Sequence, residues 1–267
     1  LRSLGYQVED AGNVHVAIPE MMPFGNRRAK YLKEIAATCR RVAQQVGAAL
    51  RGGFAPLVLG GDHSIAIGTL AGLSKHFRDR RKRIGVIWID AHADMNTPQT
   101  SPSGNVHGMP LACCVGLGPR ELTHLFGYAP LVRPQNVALV GVRDVDVLEK
   151  PHVRRSGVRA FTMRHIDERG MRAVMEEAIA IASDGAAGFH VSLDMDFIDP
   201  AEAPGVGTPI RGGGTYRETH LALEMISDTG RMTSLEIVEV NPILDSGNRT
   251  SKLAVELAMS AFGKRIL

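Results

Sequence analysis

Three short clusters of carboxylates and imidazoles carry the chemistry in this sequence: Gly60-Gly61-Asp62-His63-Ser64, Asp90-Ala91-His92-Ala93-Asp94 and Asp194-Met195-Asp196. Each closes a short apolar run: Leu57–Leu59, Ile84–Ile89 and Phe189–Leu193 respectively. In extended backbone, residues two apart project from the same side. Asp90, His92 and Asp94 can therefore converge on one point, and so can Asp194 and Asp196. Taken alone, a DxD at a strand end ordinarily caps a loop or meets a basic side chain. Asp62 reads as orienting His63 or capping the helix that follows, and Asp199, before Pro200, reads as a turn residue. Taken together, five carboxylates and two imidazoles crowded at one sheet edge repel strongly unless cations neutralise them. Asp90, Asp94, Asp194 and Asp196 carry a charge of about −4, which two divalent ions cancel, and oxygen-rich ligation without thiolate favours Mn²⁺ over a structural Zn²⁺. Two such ions about 3.5–4 Å apart share a water and make it hydroxide near neutral pH. The expected cofactor is two Mn²⁺ per chain, and the expected chemistry is hydrolysis.

The elements that must position these groups alternate in period. Apolar runs at Leu57–Leu59, Ile84–Ile89, Val137–Val142, Phe189–Leu193 and Leu235–Val240 look apolar on both faces, as strands of a buried parallel sheet do. Between them, Ile35, Cys39, Val42, Val46 and Leu50 trace one helix face that Gly52-Gly53 ends, and Met171, Val174, Met175, Ala178, Ile179 and Ala182 trace another. Further helices are expected near Ser64, Thr215 and Thr250. This alternation predicts an α/β fold, a doubly wound and mostly parallel sheet with helices on both faces. With 267 residues and no repeat or linker, residues 1–267 read as one domain. In such a sheet, ligands bind beyond the carboxyl ends of the strands, where the three clusters fall.

Several function classes drop out. None of the glycine clusters spells GxGxxG or a Walker A loop, which argues against dinucleotide and P-loop chemistry. Thirty-one basic against 28 acidic residues, net +3, implies neither nucleic acid nor anionic membrane as partner. The basic run Arg78–Arg83 reads as a solvated helix end. No stretch reaches the ~18 apolar residues of a membrane span. Three cysteines, Cys39, Cys113 and Cys114, suggest a reducing, cytoplasmic setting.

GGDHS, DAHADMN, SLDMDFIDP and EVNP, in this order and spacing, resemble the ureohydrolases, dinuclear manganese enzymes acting on guanidino and related amidino groups. The likeness runs from about Gly60 to the C-terminus. Within the family, Ser101–Pro110 (SPSGNVHGMP), Gly207-Thr208-Pro209 and Thr215-Tyr216-Arg217-Glu218 most resemble the arginases. The resemblance implies His63, Asp90, His92, Asp94, Asp194 and Asp196 as metal ligands, the set that spacing also yields. It implies Glu239 at the substrate guanidinium and His107 as a proton shuttle for the departing amine. Without the resemblance these read as a strand-end salt bridge and a solvated loop imidazole. Asn96, Ser103 and Asn105 are implied to receive an α-carboxylate, Asp146 an α-ammonium, and Thr208 to make a further substrate contact. His15, His76, His124, His152, His165, His190 and His220 match no ligand position and read as surface or core histidines.

The reaction so implied is hydrolysis of L-arginine to L-ornithine and urea, with Asp94 passing a proton toward the leaving nitrogen. The rivals are an agmatinase, guanidinobutyrase or formiminoglutamase, a metal-dependent deacetylase on a related scaffold, and a binding protein that keeps the fold. Arg217 and Glu218 match positions of inter-subunit contact in some arginases, implying a homotrimer or homohexamer; their other reading is a surface pair on the first turn of a helix. Two departures stand out. Phe197 occupies a position that is Gly in many relatives, where a ring either reshapes the pocket or packs outward. An N-terminal strand and polar loop usual in the family are also expected but not present before Leu1.

Overall fold

Runs rich in Val, Ile and Leu become interior strands where helices cover both faces of a sheet, and this chain supplies helices for both. In the computed structural model, which describes residues 1–265, strands β1 (Gly25–Asn26) and β2 (Ala29–Lys30) form a small antiparallel hairpin. The remaining strands are β3 (Leu57–Leu59), β4 (Gly85–Ile89), β5 (Val137–Val142), β6 (Arg159–Thr162), β7 (Phe189–Asp194) and β8 (Met232–Val238). They form one parallel sheet in the order β3-β8-β7-β4-β5-β6.

Helices α1 (Leu32–Arg51), α2 (Ala66–Asp79), α3 (Pro110–Cys114) and α4 (Arg120–Thr123) lie on one face, while α5 (Lys150–Arg155) sits near the strand ends. Helices α6 (Met163–Ser183), α7 (Tyr216–Asp228) and α8 (Arg249–Ala261) cover the other face. Strand β4 shows why the runs look apolar on both sides. Val86 and Trp88 enter the core under α1 and α2, while Ile87 and Ile89 enter the core under α6 and α7.

Register sets the height of the chemistry. Ile89 pairs with Leu193, Asp194 with Val238 and Leu59 with Ile237. The residues that follow β3, β8, β7 and β4 therefore emerge side by side on one edge, bringing all three polar clusters and Glu239 together.

The structure departs from the sequence expectation in a few places. Helix α6 begins at Met163 rather than near Met171, capped by Thr162 and broken at Gly170. Edge strand β6 has no counterpart in the expected elements, because its Arg-Ala-Phe-Thr mixes exposed and buried positions. Strand β8 ends at Val238, before Glu239 turns the chain at φ 64°. The basic run is exposed at the end of α2 as expected, with the Arg78 guanidinium 4.1 Å from the Tyr128 ring centre. Among the described residues no helix is long and apolar enough to cross a membrane.

Candidate metal centre and active cleft

His63 opens a 3-10 turn after β3, with Asp62 capping it by accepting from the Ser64 N–H at 3.0 Å. This puts His63 Nδ1 3.2 Å from Asp90 Oδ2, 3.1 Å from Asp94 Oδ2 and 3.1 Å from Asp194 Oδ2. One ring nitrogen has at most one proton to offer, so three carboxylate oxygens at that range exceed what hydrogen bonding satisfies. Asp94 Oδ2 is indeed buried without a hydrogen bond. A second group forms around His92, whose Nδ1 lies 3.0 Å from Asp196 Oδ2 and 3.6 Å from Asp90 Oδ1. Within each group, His63–Asp90–Asp194 and Asp90–His92–Asp196, the ligand atoms lie within 4.8 Å of one another, and Asp90 belongs to both. Two adjoining cradles that share a carboxylate, made of oxygen and imidazole donors, fit a pair of divalent cations.

The tautomer of His63 is fixed from below. Its ring stacks on Trp88 at 4.2 Å, and its Nε2 lies 2.7 Å from Ser192 Oγ. Ser192 donates its only proton to Glu236 Oε1 at 2.6 Å, so its oxygen must accept from Nε2–H. Nδ1, facing the carboxylates, is then the atom that presents a lone pair, as ligation requires. Glu236 also faces His190 Nε2 at 3.3 Å, and His190 Nδ1 meets Ser234 Oγ at 2.8 Å. His190, Ser192, Ser234 and Glu236 are all fully buried. His190 thus answers to the core histidine of the sequence reading, but within a polar relay under His63.

The electrostatics show the need for positive charge. Burial, then the Asp90 charge, push Asp94 up to about 7. Burial, with Asp196 and Asp90, holds Asp194 well above the usual carboxylate range, and burial with Asp90 raises Asp196. Asp90 is lowered: burial opposes its charge, but hydrogen bonds with His63 and His92 prevail. Burial also opposes charge on His63, yet the Asp194, Asp90 and Asp94 carboxylates facing its Nδ1 hold it well above its ordinary value. Divalent cations answer the same demand.

Above the cradles lies an open cleft lined by His63, His92, Asp94, Asn96, Ser103, His107, Asp146, Asp194, Asp196, Thr208 and Glu239, among others. Glu239 takes a left-handed conformation uncommon for Glu, and its Oε1 accepts from the His63 N–H at 2.8 Å. His107 Nδ1 stands 3.4 Å from the same oxygen, and that contact, against burial, raises the imidazole's pKa. Asn96 Nδ2 donates to Asp146 Oδ2 at 2.9 Å, while Thr208 Oγ1 donates to Asp196 Oδ2 at 3.0 Å. Ser103 Oγ accepts from the Asn105 N–H at 3.1 Å. Asn105 itself is not among the lining residues; its Oδ1 accepts from Lys30. Asp90 is fully buried beneath the floor.

Phe197 is settled by its neighbours. It is fully buried and does not line the cleft. A Cβ on Gly141 (φ 101°) would stand 2.2 Å from its ring, and one on Gly214 2.4 Å. Two glycines thus make room for the ring, which packs outward into the core. Three further groups lie outside the sequence reading. Glu149 accepts from the Met95 and Asp146 N–H groups at 2.7 and 3.1 Å, bracing the two loops that follow β4 and β5. Arg143 donates to the Asp196, Phe197 and Ile210 carbonyls at 2.7–3.0 Å, tying the Thr208 loop to the 3-10 turn after β7. The third is the relay of Ser192 and Glu236.

This arrangement has relatives. A sequence profile of the Arginase family matches residues 2–263. The chain belongs to the arginase family. It is 49% identical to the arginase of Bacillus caldovelox over 268 residues, spanning 100% of this chain and 88% of that protein. The native structure of that enzyme superposes with a TM-score of 0.95, covering 100% of this chain and 88% of its own. A Bacillus subtilis arginase structure, 48% identical, gives 0.92 at the same coverage. The Entamoeba histolytica arginase, solved in complex with L-ornithine, is 35% identical with a TM-score of 0.82, covering 89% of this chain and 79% of its own. The membership makes the chain a hydrolase of the ureohydrolase type.

Proposed function

We propose that this arginase-family enzyme hydrolyses L-arginine to L-ornithine and urea at a pair of Mn²⁺ ions held by His63, Asp90, His92, Asp94, Asp194 and Asp196. The observation that carries the proposal is the joining, in one cleft, of two cradles sharing Asp90 with His107, Glu239 and the polar wall of Asp146, Asn96 and Ser103. When bound, a pair of divalent ions supplies a nucleophile at neutral pH by acidifying water. Glu239, steadied by the His63 N–H, takes the guanidinium. Asp94, at the cleft surface of the cradle, passes a proton toward the leaving nitrogen, and His107 relays protons between that nitrogen and water. Asp146, steadied by Asn96, receives the α-ammonium; Ser103 and Asn105, with Asn96, receive the α-carboxylate. Thr208, bound to Asp196, completes the substrate side. The L-ornithine bound to the Entamoeba histolytica arginase supports this substrate class.

The experiment is a side-by-side assay of L-arginine and agmatine on Mn²⁺-loaded protein, with ornithine and putrescine quantified. Agmatine lacks the α-carboxylate, so a strong preference for arginine supports the reading. Equal efficiency on both overturns the choice of substrate. The proposal extends to one catalytic domain over 1–267, a cytoplasmic setting in keeping with the buried Cys39, Cys113 and Cys114, which form no disulfide, and assembly as a homotrimer or homohexamer. Glu218 accepts from the Thr215 N–H at 2.9 Å in a capping box, and Arg217 reaches Glu224 at 3.4 Å. Arg217 must exchange that exposed partner to join subunits. A monomeric mass in light scattering would overturn the assembly.

A further inference from the structure

The β1–β2 hairpin pairs with no strand of the main sheet, yet it grips the loop that carries the proposed recognition residues. The Lys30 N–H donates to the Gly104 carbonyl at 2.9 Å. Gly104 (φ 72°) approaches so closely that a Cβ there would lie 2.0 Å from the Arg27 carbonyl oxygen, so glycine alone allows this docking. From this anchored backbone the half-buried Lys30 ammonium donates to Asn105 Oδ1 at 3.1 Å. The only lysine ion pair among the described residues joins Lys75 to Asp79, so Lys30 spends its charge on this amide rather than on a carboxylate.

The chemistry of that contact fixes an orientation. An ammonium has donors and no acceptor, so the atom facing it must be the amide oxygen. Rotating the amide would set two N–H groups against a cation. The Asn105 NH₂ is thereby turned away from Lys30, and among the described residues it donates to nothing. We propose that Lys30 is a positioning residue for substrate selection, which holds Asn105 with its N–H donors presented to the α-carboxylate of an amino-acid substrate. The inference rests on the reading that Asn105, set in the chain between the lining residues Ser103 and His107 but not itself lining the cleft, receives that carboxylate. A cation polarising the amide oxygen also strengthens the donors at the amide's other end, so the pair acts as one carboxylate receptor.

The test compares wild type, Lys30→Met, Lys30→Arg, Asn105→Ala and the double variant Lys30→Met/Asn105→Ala, all as Mn²⁺-loaded full chain. L-arginine and agmatine kinetics are measured with L-ornithine binding by calorimetry. Lys30→Met should raise KM for arginine and Kd for ornithine about ten-fold, the factor that one charge-assisted hydrogen bond carries. Its kcat for arginine and its kcat/KM for agmatine should stay within about two-fold of wild type, and Lys30→Arg should recover most of the loss. With Asn105 already truncated, Lys30→Met should change arginine KM less than about two-fold. A loss in kcat with KM unmoved, equal losses on both substrates, or a full effect without Asn105 would each overturn the role of Lys30. Absence of arginine preference in the wild type would instead sink the substrate reading, whereas an arginine preference left unreduced by Lys30→Met sinks this inference alone.

Discussion

Replacing Ser192 by Ala removes a single hydroxyl and cuts the relay that sets the ligand atom of His63. Ser192 is fully buried, so no water is at hand to replace its oxygen. The change leaves His63 Nε2 without its 2.7 Å partner and takes from Glu236 Oε1 its 2.6 Å donor, with His190 Nε2 remaining at 3.3 Å. A buried polar group stripped of its partner costs about 1–3 kcal/mol, so two such groups set an expected loss of about 2–6 kcal/mol in metal-free stability. The tautomer that offers Nδ1 is no longer enforced. Groups that orient a ligating imidazole in this way typically carry about 10–100-fold in metal affinity. Mn²⁺ titration against a competing chelator, with urea denaturation of the metal-free chain, reads both effects. Mn²⁺ affinity within two-fold of wild type at unchanged stability would refute the relay's role.

Other predictions follow from the same geometry. His107→Asn should lower turnover strongly while leaving metal content unchanged, because His107 meets Glu239 and none of the proposed ligands; loss of one metal by elemental analysis would count against the assignment. Glu149 supplies a pH test, since burial pushes its carboxyl from 4.5 up to about 7. Its folded form binds the proton more tightly than the unfolded chain, so this group's contribution is intact below about pH 4.5 and is lost as pH rises toward 7. Relative to Glu149→Gln, wild-type stability should therefore fall by about 3 kcal/mol between pH 4.5 and pH 8 in denaturant titrations. A flat difference would show that Glu149 ionises normally in the fold.

The proposed ligands are legible in the sequence because parallel strands deliver their ends to one edge. The two-residue spacing converges through turns rather than extended backbone, since Asp94 sits at φ 52° and Asp196 lies in the 3-10 turn Met195–Phe197. Asp62 and Asp199 are legible as capping and turn residues for a related reason, since each caps the backbone immediately after it. The relay is hidden because Ser192 and Glu236 lie inside apolar strand runs, where a lone Ser carries no signal. Glu236 does carry one: a glutamate within Leu235–Val238 must be buried, and a buried carboxylate needs a partner. The outward packing of Phe197 depends on Gly141 and Gly214, both distant in sequence, so pairwise contact decides it and local pattern does not. The hairpin that orients Asn105 is made of two-residue strands, too short to leave any periodic trace.

The central claim is that six side chains at three strand ends hold two catalytic Mn²⁺ ions. Metal analysis coupled to L-arginine hydrolysis tests it most directly, on protein stripped by chelation and then titrated with Mn²⁺. Activity should be absent from the stripped protein and should return as binding approaches two ions per chain, and Asp94→Ala should bind less and recover none. Full hydrolysis by exhaustively stripped protein would contradict the account.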